Sequence, residues 1–171
     1  SVIDYIQGNG IFDATIVWLA HSEELCQQAI ETMASMWEKY GQSELELIRM
    51  WGGRPVPTDI QPGLRFAVLS FPTAYSLITS KHNQHFEFFT QLRRTVEIIV
   101  VDEAHQSTAP TYRAAIEHFS NRNSKLVGLT ATPGRHHIDQ SPEATEELAQ
   151  FYENNKVEIL SDEGAKLEDP I

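Results

Sequence analysis

Asp102 and Glu103 stand side by side after the run Val96-Glu97-Ile98-Ile99-Val100-Val101, and His105 follows two positions on. Adjacent carboxylates at the end of an apolar run are suited to metal-assisted chemistry. One can hold a hydrated Mg²⁺, a hard cation usually bound by one or two carboxylates together with substrate phosphates. The other can orient or deprotonate a water. The plainer reading of the same residues is a strand that ends in a solvated acidic turn, and the pair by itself leaves both readings open.

Ile98 to Val101 show no alternation of polar and apolar residues, which is the pattern of a strand buried on both faces of a parallel sheet. In open parallel sheets the ligand crevice lies at the carboxyl ends of the strands, where Asp102 and Glu103 fall. Thr130 lies 28 residues after Asp102, at the end of a second apolar run, Leu126-Val127-Gly128-Leu129, and opens the segment Thr130-Ala131-Thr132-Pro133-Gly134-Arg135. Hydroxyls at the end of a neighbouring strand can hydrogen-bond the carboxylates and His105. Further apolar runs begin near residues 14, 45, 65 and 156, with helical periodicity between them. This alternation predicts an α/β three-layer sandwich with a mainly parallel sheet.

Helices are expected over residues 1–7, 22–40, about 83–94, 112–119 and 142–152. Ser22 is a candidate N-cap, with Glu23 and Glu24 in the first turn, and Gly41 ends that helix. Ser70 and Thr73 flank the next strand-to-helix junction, where a hydroxyl caps the helix or meets an anion at its N-terminus.

Asp102-Glu103-Ala104-His105 and Thr130-Ala131-Thr132 at this separation resemble the DEAH and Thr-Ala-Thr motifs of superfamily 2 DEAD/DEAH-box helicases and translocases, in their first RecA-like ATPase domain. The resemblance implies a three-layer α/β/α RecA-like fold that hydrolyses Mg-ATP and couples this to movement on nucleic acid. It implies that Asp102 holds Mg²⁺, that Glu103 positions or activates the attacking water, and that His105 with Thr130 and Thr132 couples the phosphate state to the nucleic-acid side. Leu19-Ala20-His21-Ser22-Glu23-Glu24-Leu25-Cys26-Gln27-Gln28 resembles motif Ia, which carries nucleic-acid contacts onto His21, Ser22 and Gln28, although Glu23 stands where many members have a basic residue. The position of Ser70 and Thr73 resembles motif Ib. For Ser22, Ser70 and Thr73 the capping reading stands beside the nucleic-acid one. The implied partners are nucleic acid, with DNA ranked ahead of RNA, and a second RecA-like domain that supplies an arginine finger. A non-enzymatic, helicase-like interaction module is the alternative.

The Gly-x-x-x-x-Gly-Lys-Ser/Thr phosphate-binding loop is absent, since none of the five lysines sits in such a pattern. The expectation is a RecA-like domain over 1–160 that starts just downstream of that loop and lacks its strand, followed by an acidic linker at 161–171. In such a domain the strand at 125–130 has an unpaired edge, which predicts a dimer, an altered strand order or a companion segment.

Composition bounds the rest. The chain of 171 residues fits one domain with a substantial core. The single cysteine, Cys26, excludes a disulfide framework and fits a reducing compartment. No run approaches a membrane span, so the expected location is cytoplasmic. Residues 143 to 171 hold nine acidic side chains and two lysines, a net of −7 out of the chain's −11, so the body is only mildly acidic. His82 with His85, and His136 with His137, lack further ligands at a supporting spacing and read as ordinary surface or half-buried histidines. Because much of the charge for phosphoryl transfer comes from the loop lysine and an arginine finger, the chain alone is expected to hydrolyse no ATP. Titration with Mg-ATP is expected to show weak binding or none, and a micromolar dissociation constant would overturn that expectation.

Overall fold

The computed structural model describes residues 2–79, 85–130 and 142–152. The chain divides into a compact unit, Ser1–Pro133, and a second unit, Gly134–Ile171. In the first unit, helix α1 (Val2–Gly8) precedes strand β1 (Ala14–Ala20), helix α2 (Glu23–Tyr40), strands β2 (Leu45–Met50) and β3 (Leu64–Ser70), and helices α3 (Phe71–Thr79) and α4 (Phe86–Thr95). Strand β4 (Val96–Asp102), a short 3-10 turn (Ala104–Gln106), helix α5 (Pro110–Phe119) and strand β5 (Lys125–Leu129) complete it. The second unit contains helix α6 (Pro142–Phe151). None of the described helices is long and apolar enough to cross a membrane.

The strands form one parallel sheet in the order β2-β3-β1-β4-β5. Its three central members are apolar almost throughout because helices cover both faces. Every residue of β3 is buried, as are all of β1 except the half-buried Trp18. On one face Ile3 and Ile6 of α1 and Cys26, Ala29, Ile30 and Trp37 of α2 join Ile16, Phe66, Val68, Ile98 and Val100 in one apolar cluster. Helices α3, α4 and α5 contribute Phe71, Phe88, Phe89, Leu92, Ile116 and Phe119 to the opposite face.

Local chemistry sets the boundaries. Leu25 N–H donates to Ser22 Oγ at 3.3 Å, so Ser22 caps α2. Trp37 Nε1 donates to the Ser43 carbonyl at 2.7 Å and holds the turn after Gly41. Helix α1 runs one residue past the expected stop, through Gly8, and the chain turns at Gly10, whose φ of 62° suits glycine. Helix α4 starts at Phe86, three residues later than the periodicity suggests, with His85 at its N-cap. Pro110 occupies the first turn of α5, where its missing N–H costs no helical bond. The expected strand at 156, the acidic segment 161–171, Thr132, His82 and His136-His137 lie outside the described residues. Strand β5 is hydrogen-bonded to β4, and at this margin of the described sheet Val127 is 39% and Leu129 41% exposed.

The amino ends of β1 and β3 are tied by a buried cation. Arg65 is 1% exposed; its Nε donates to Thr15 Oγ1 at 2.9 Å, Nη2 to Asp13 Oδ1 at 2.5 Å and Nη1 to the Gln61 carbonyl. Asp13 also accepts the Gly63 N–H at 3.3 Å. The Arg65 hydrogen bond holds the Asp13 carboxyl below its ordinary pKa. A carboxylate whose pKa is lower in the folded than in the unfolded chain adds stability above its unfolded pKa, and that contribution is lost as pH falls through the folded value. Asp13→Asn is expected to cost stability, at most about 1 kcal/mol, at pH 7: Arg65 keeps two neutral acceptors but loses its charged partner, and the 57% exposure of the Asp13 side chain lets solvent screen that pair. The difference from the parent chain should shrink as the pH falls into the acid range, and equal denaturant midpoints at pH 7 would contradict it.

Candidate functional site

The carboxyl ends of the central strands lie level. Ala20 pairs in register with Ser70, Leu19 with Val101, and Asp102 with Leu129, so the ends of β1, β3, β4 and β5 form one rim. Asp102, Glu103, His105, Thr130, His21, Ser70 and Thr73 all lie along it.

Strand β4 leaves the sheet abruptly. Glu103 has φ 53° and ψ 50°, and among the described residues it is the one non-glycine residue with positive φ. This left-handed conformation costs a residue with a Cβ roughly 1–2 kcal/mol. It lets the Glu103 N–H turn back to donate to Asp102 Oδ1 at 3.1 Å, and starts the 3-10 turn that carries His105. His105 Nδ1 lies 3.2 Å from Glu103 Oε2 and 3.4 Å from Thr130 Oγ1. A proton on Nδ1 would be donated mainly to the carboxylate, with the longer contact to the hydroxyl secondary. Thus His105 joins the carboxylate loop to the end of β5 through its contact with Thr130.

Asp102 is half-buried. Burial raises its carboxyl pKa, the Glu103 N–H opposes the rise, and the neighbouring Glu103 charge adds to it. Cys26, fully buried in α2 on the adjacent face, has its thiol pushed up to about 12 by burial, then by Glu23 and Asp102. The negative field around Asp102 is therefore uncompensated among these neighbours. A divalent cation would relieve it, and the residues fit one: Asp102 is a hard oxygen ligand, and Mg²⁺ usually takes its remaining ligands from phosphates and water. No cluster of three ligating side chains occurs among the described residues.

The residues expected to meet nucleic acid divide between the two faces. Gln28 is exposed and lines a cleft of about 310 Å³ with Asp102, Trp18, Leu25, Met33 and Phe66, on the α1/α2 side. His21, Ser70 and Thr73 gather instead near α3 and α5. Ser70, only 3% exposed, donates through Oγ to Thr73 Oγ1 at 2.9 Å and accepts the Thr73 N–H at 3.4 Å. The Ser22 and Ser70 hydroxyls are thus engaged in capping. His21 is exposed and hydrogen-bonded through Nδ1 to the Tyr112 hydroxyl, with the two rings nearly parallel at 16° and their centres 6.2 Å apart. Tyr112 also packs on Phe71, at 3.9 Å between ring centres. Its role escapes sequence reading: an aromatic residue in the first turn of the helix after the carboxylate loop is the only trace it leaves.

A sequence profile for the type III restriction enzyme, res subunit, matches residues 1–135. The chain belongs to that family. Among solved structures the chain is similar to S. cerevisiae Dbp5 L327V bound to RNA and ADP BeF3, with a TM-score of 0.54 and 16% identity over 82% of this chain and 32% of that one. A second structure, S. cerevisiae Dbp5 bound to RNA and ADP BeF3, gives a TM-score of 0.50 and 17% identity over the same shares. The chain therefore spans about a third of the length of the structures it matches. No curated protein sequence matches it. Family and fold together identify an α/β RecA-like domain of superfamily 2 helicase type.

Asp102 is a stability liability. A carboxyl whose pKa is raised by folding destabilises the fold as pH climbs from its unfolded to its folded value, and the loss then persists. Asp102→Asn keeps an oxygen for the Glu103 N–H, so it is expected to raise the melting temperature by a few degrees at pH 7. The gain should vanish at acid pH, where the parent carboxyl is protonated. A lower melting temperature at pH 7 would refute this reading.

Proposed function

We propose that this chain forms the carboxylate side of a nucleic-acid-dependent ATPase, in which Mg-ATP hydrolysis drives helicase or translocase movement. The supporting observation is the rim at the end of β4, where burial and the Glu103 charge raise the pKa of the half-buried Asp102 carboxyl beside a left-handed Glu103. A binding module gains nothing from that arrangement. Mg²⁺, when bound with ATP, supplies charge neutralisation on the phosphates. Asp102 holds the cation, and Glu103 orients the attacking water and accepts its proton. His105, bridging Glu103 and Thr130, passes the change at the phosphate towards β5, and Thr132 is assigned to the same coupling. A phosphate-binding loop and a second RecA-like domain, with its arginine finger, complete the ATPase, and β5, at the margin of the described sheet, is where a companion strand or second copy would add.

Nucleic acid is assigned to the His21, Ser22 and Thr73 side of the rim, with Ser70 acting through Thr73, while Gln28 faces the cleft beside Asp102. The family description, a restriction enzyme subunit, favours DNA. RNA is the other arm, since the Dbp5 structures contain it. The acidic body of the chain means that contact rests on few, directed donors rather than on a basic surface. The proposed location is the cytoplasm.

The test is ATP hydrolysis by a protein carrying this chain together with a phosphate-binding loop and second RecA-like domain. Turnover is measured with single-stranded DNA, double-stranded DNA and RNA. Glu103→Gln is expected to reduce the stimulated rate at least about a hundredfold, in line with loss of a positioned general base, while ATP binding persists. No stimulated turnover with any polymer, together with indifference to Glu103→Gln, would instead support the interaction module.

A further inference from the structure

His21 and Tyr112 lie 91 residues apart in sequence, yet they meet at the rim. Tyr112 belongs to the first turn of α5, directly downstream of the carboxylate loop, and its ring is wedged between His21 and Phe71. Phe71 is 3% exposed and opens α3, so one side chain ties the ends of β1 and β3 to the start of α5. Burial pushes the Tyr112 hydroxyl above its ordinary pKa, which keeps its proton in place across the neutral range. A protonated phenol facing an imidazole nitrogen is the natural donor of the pair. The hydrogen bond at one ring nitrogen decides which nitrogen carries the proton.

We infer that Tyr112 is a positioning residue for nucleic-acid contact: its hydroxyl donates to Nδ1 of His21 and holds the imidazole with its proton on Nε2, presenting a fixed N–H donor to a backbone phosphate. The inference rests on the nucleic-acid reading above and adds to it a residue outside the carboxylate and Thr130 segments. The hydrogen bond to the Tyr112 hydroxyl, whose own ring is held by packing on Phe71, restricts where the imidazole can sit, so the Nε2–H is pre-aimed as well as pre-protonated. Because Tyr112 rides on α5, a shift of the segment after His105 would also reach His21.

The test uses the chain itself. Side-chain ¹⁵N spectra of the histidines, with His21 assigned from its loss in His21→Gln, report which nitrogen carries the proton. Binding is read by anisotropy with fluorescein-labelled single-stranded DNA and RNA at low salt. In the parent chain, His21 should carry its proton on Nε2. In Tyr112→Phe, which keeps the ring and its packing, the signal should shift to a mixture of the two forms, and affinity should fall about threefold to tenfold, the effect of one hydrogen bond. In the His21→Gln background, where there is no imidazole proton to place, Tyr112→Phe should leave affinity unchanged. A proton on Nδ1 in the parent chain overturns the inference, as does binding insensitive to Tyr112→Phe, and both leave the wider functional reading intact. Failure of the parent chain to bind any probe overturns the inference together with this chain's nucleic-acid role.

Discussion

The backbone at Glu103 is left-handed, and much of the rim's geometry depends on that one torsional constraint. Strand β4 is buried on both faces from Ile98 to Val101, and a strand so enclosed can expose polar side chains only near its ends. A gradual exit would carry the chain along the rim before any loop could form. The left-handed turn at the first residue after the strand keeps Asp102 in the sheet, paired in register with Leu129, and folds His105 back towards Thr130. The 3-10 turn and the start of α5 follow from it, and with α5 comes Tyr112. Backbone strain of this kind persists only where the surroundings over-determine it, and it concentrates at functional sites.

Electrostatics reinforces the strain. Asp102 is partly desolvated beside a second carboxylate, and the pKa of the Cys26 thiol on the neighbouring face is raised first by its burial and then by the charges of Glu23 and Asp102. Natural chains retain such liabilities where a ligand relieves them. At the amino ends of the same strands the opposite holds: Arg65 is buried with three acceptors, including the carboxylate of Asp13. One end of the sheet is satisfied and holds the strands together, while the other is left electrostatically open.

The sequence made the central strands legible because burial on both faces leaves uninterrupted apolar runs in β1, β3 and β4, a pattern with few rival explanations. Ser22, with two glutamates behind it, marked the start of α2 for an equally local reason. The carboxylates and His105 could be placed on the rim because strand ends in parallel sheets share an edge. What sequence periodicity could not convey is pairing across distance. Nothing local links His21 to Tyr112, or Asp13 to Arg65, and an arginine inside an apolar strand reads the same whether it is capped by a carboxylate or turned to water. The split of the expected nucleic-acid residues, with Gln28 beside Asp102 and His21 beside Tyr112, likewise depends on which sheet face each helix covers. The start of α4 was misplaced because His85 interrupts no periodic pattern, and only the cap shows where the helical backbone begins.

The central claim is that β4 ends in a corner strained to serve the carboxylates rather than in an ordinary acidic turn. It is tested most directly by comparing the unfolding free energies of Glu103→Gly and Glu103→Ala. Both variants remove the carboxylate and its contact with His105, so their difference isolates the backbone. At a left-handed position glycine is free of the Cβ clash, and Glu103→Gly is expected to be more stable than Glu103→Ala by about 1 kcal/mol. Elsewhere glycine is normally the less stable of the two, through its greater loss of backbone entropy. Glu103→Ala equal to or more stable than Glu103→Gly would contradict the account.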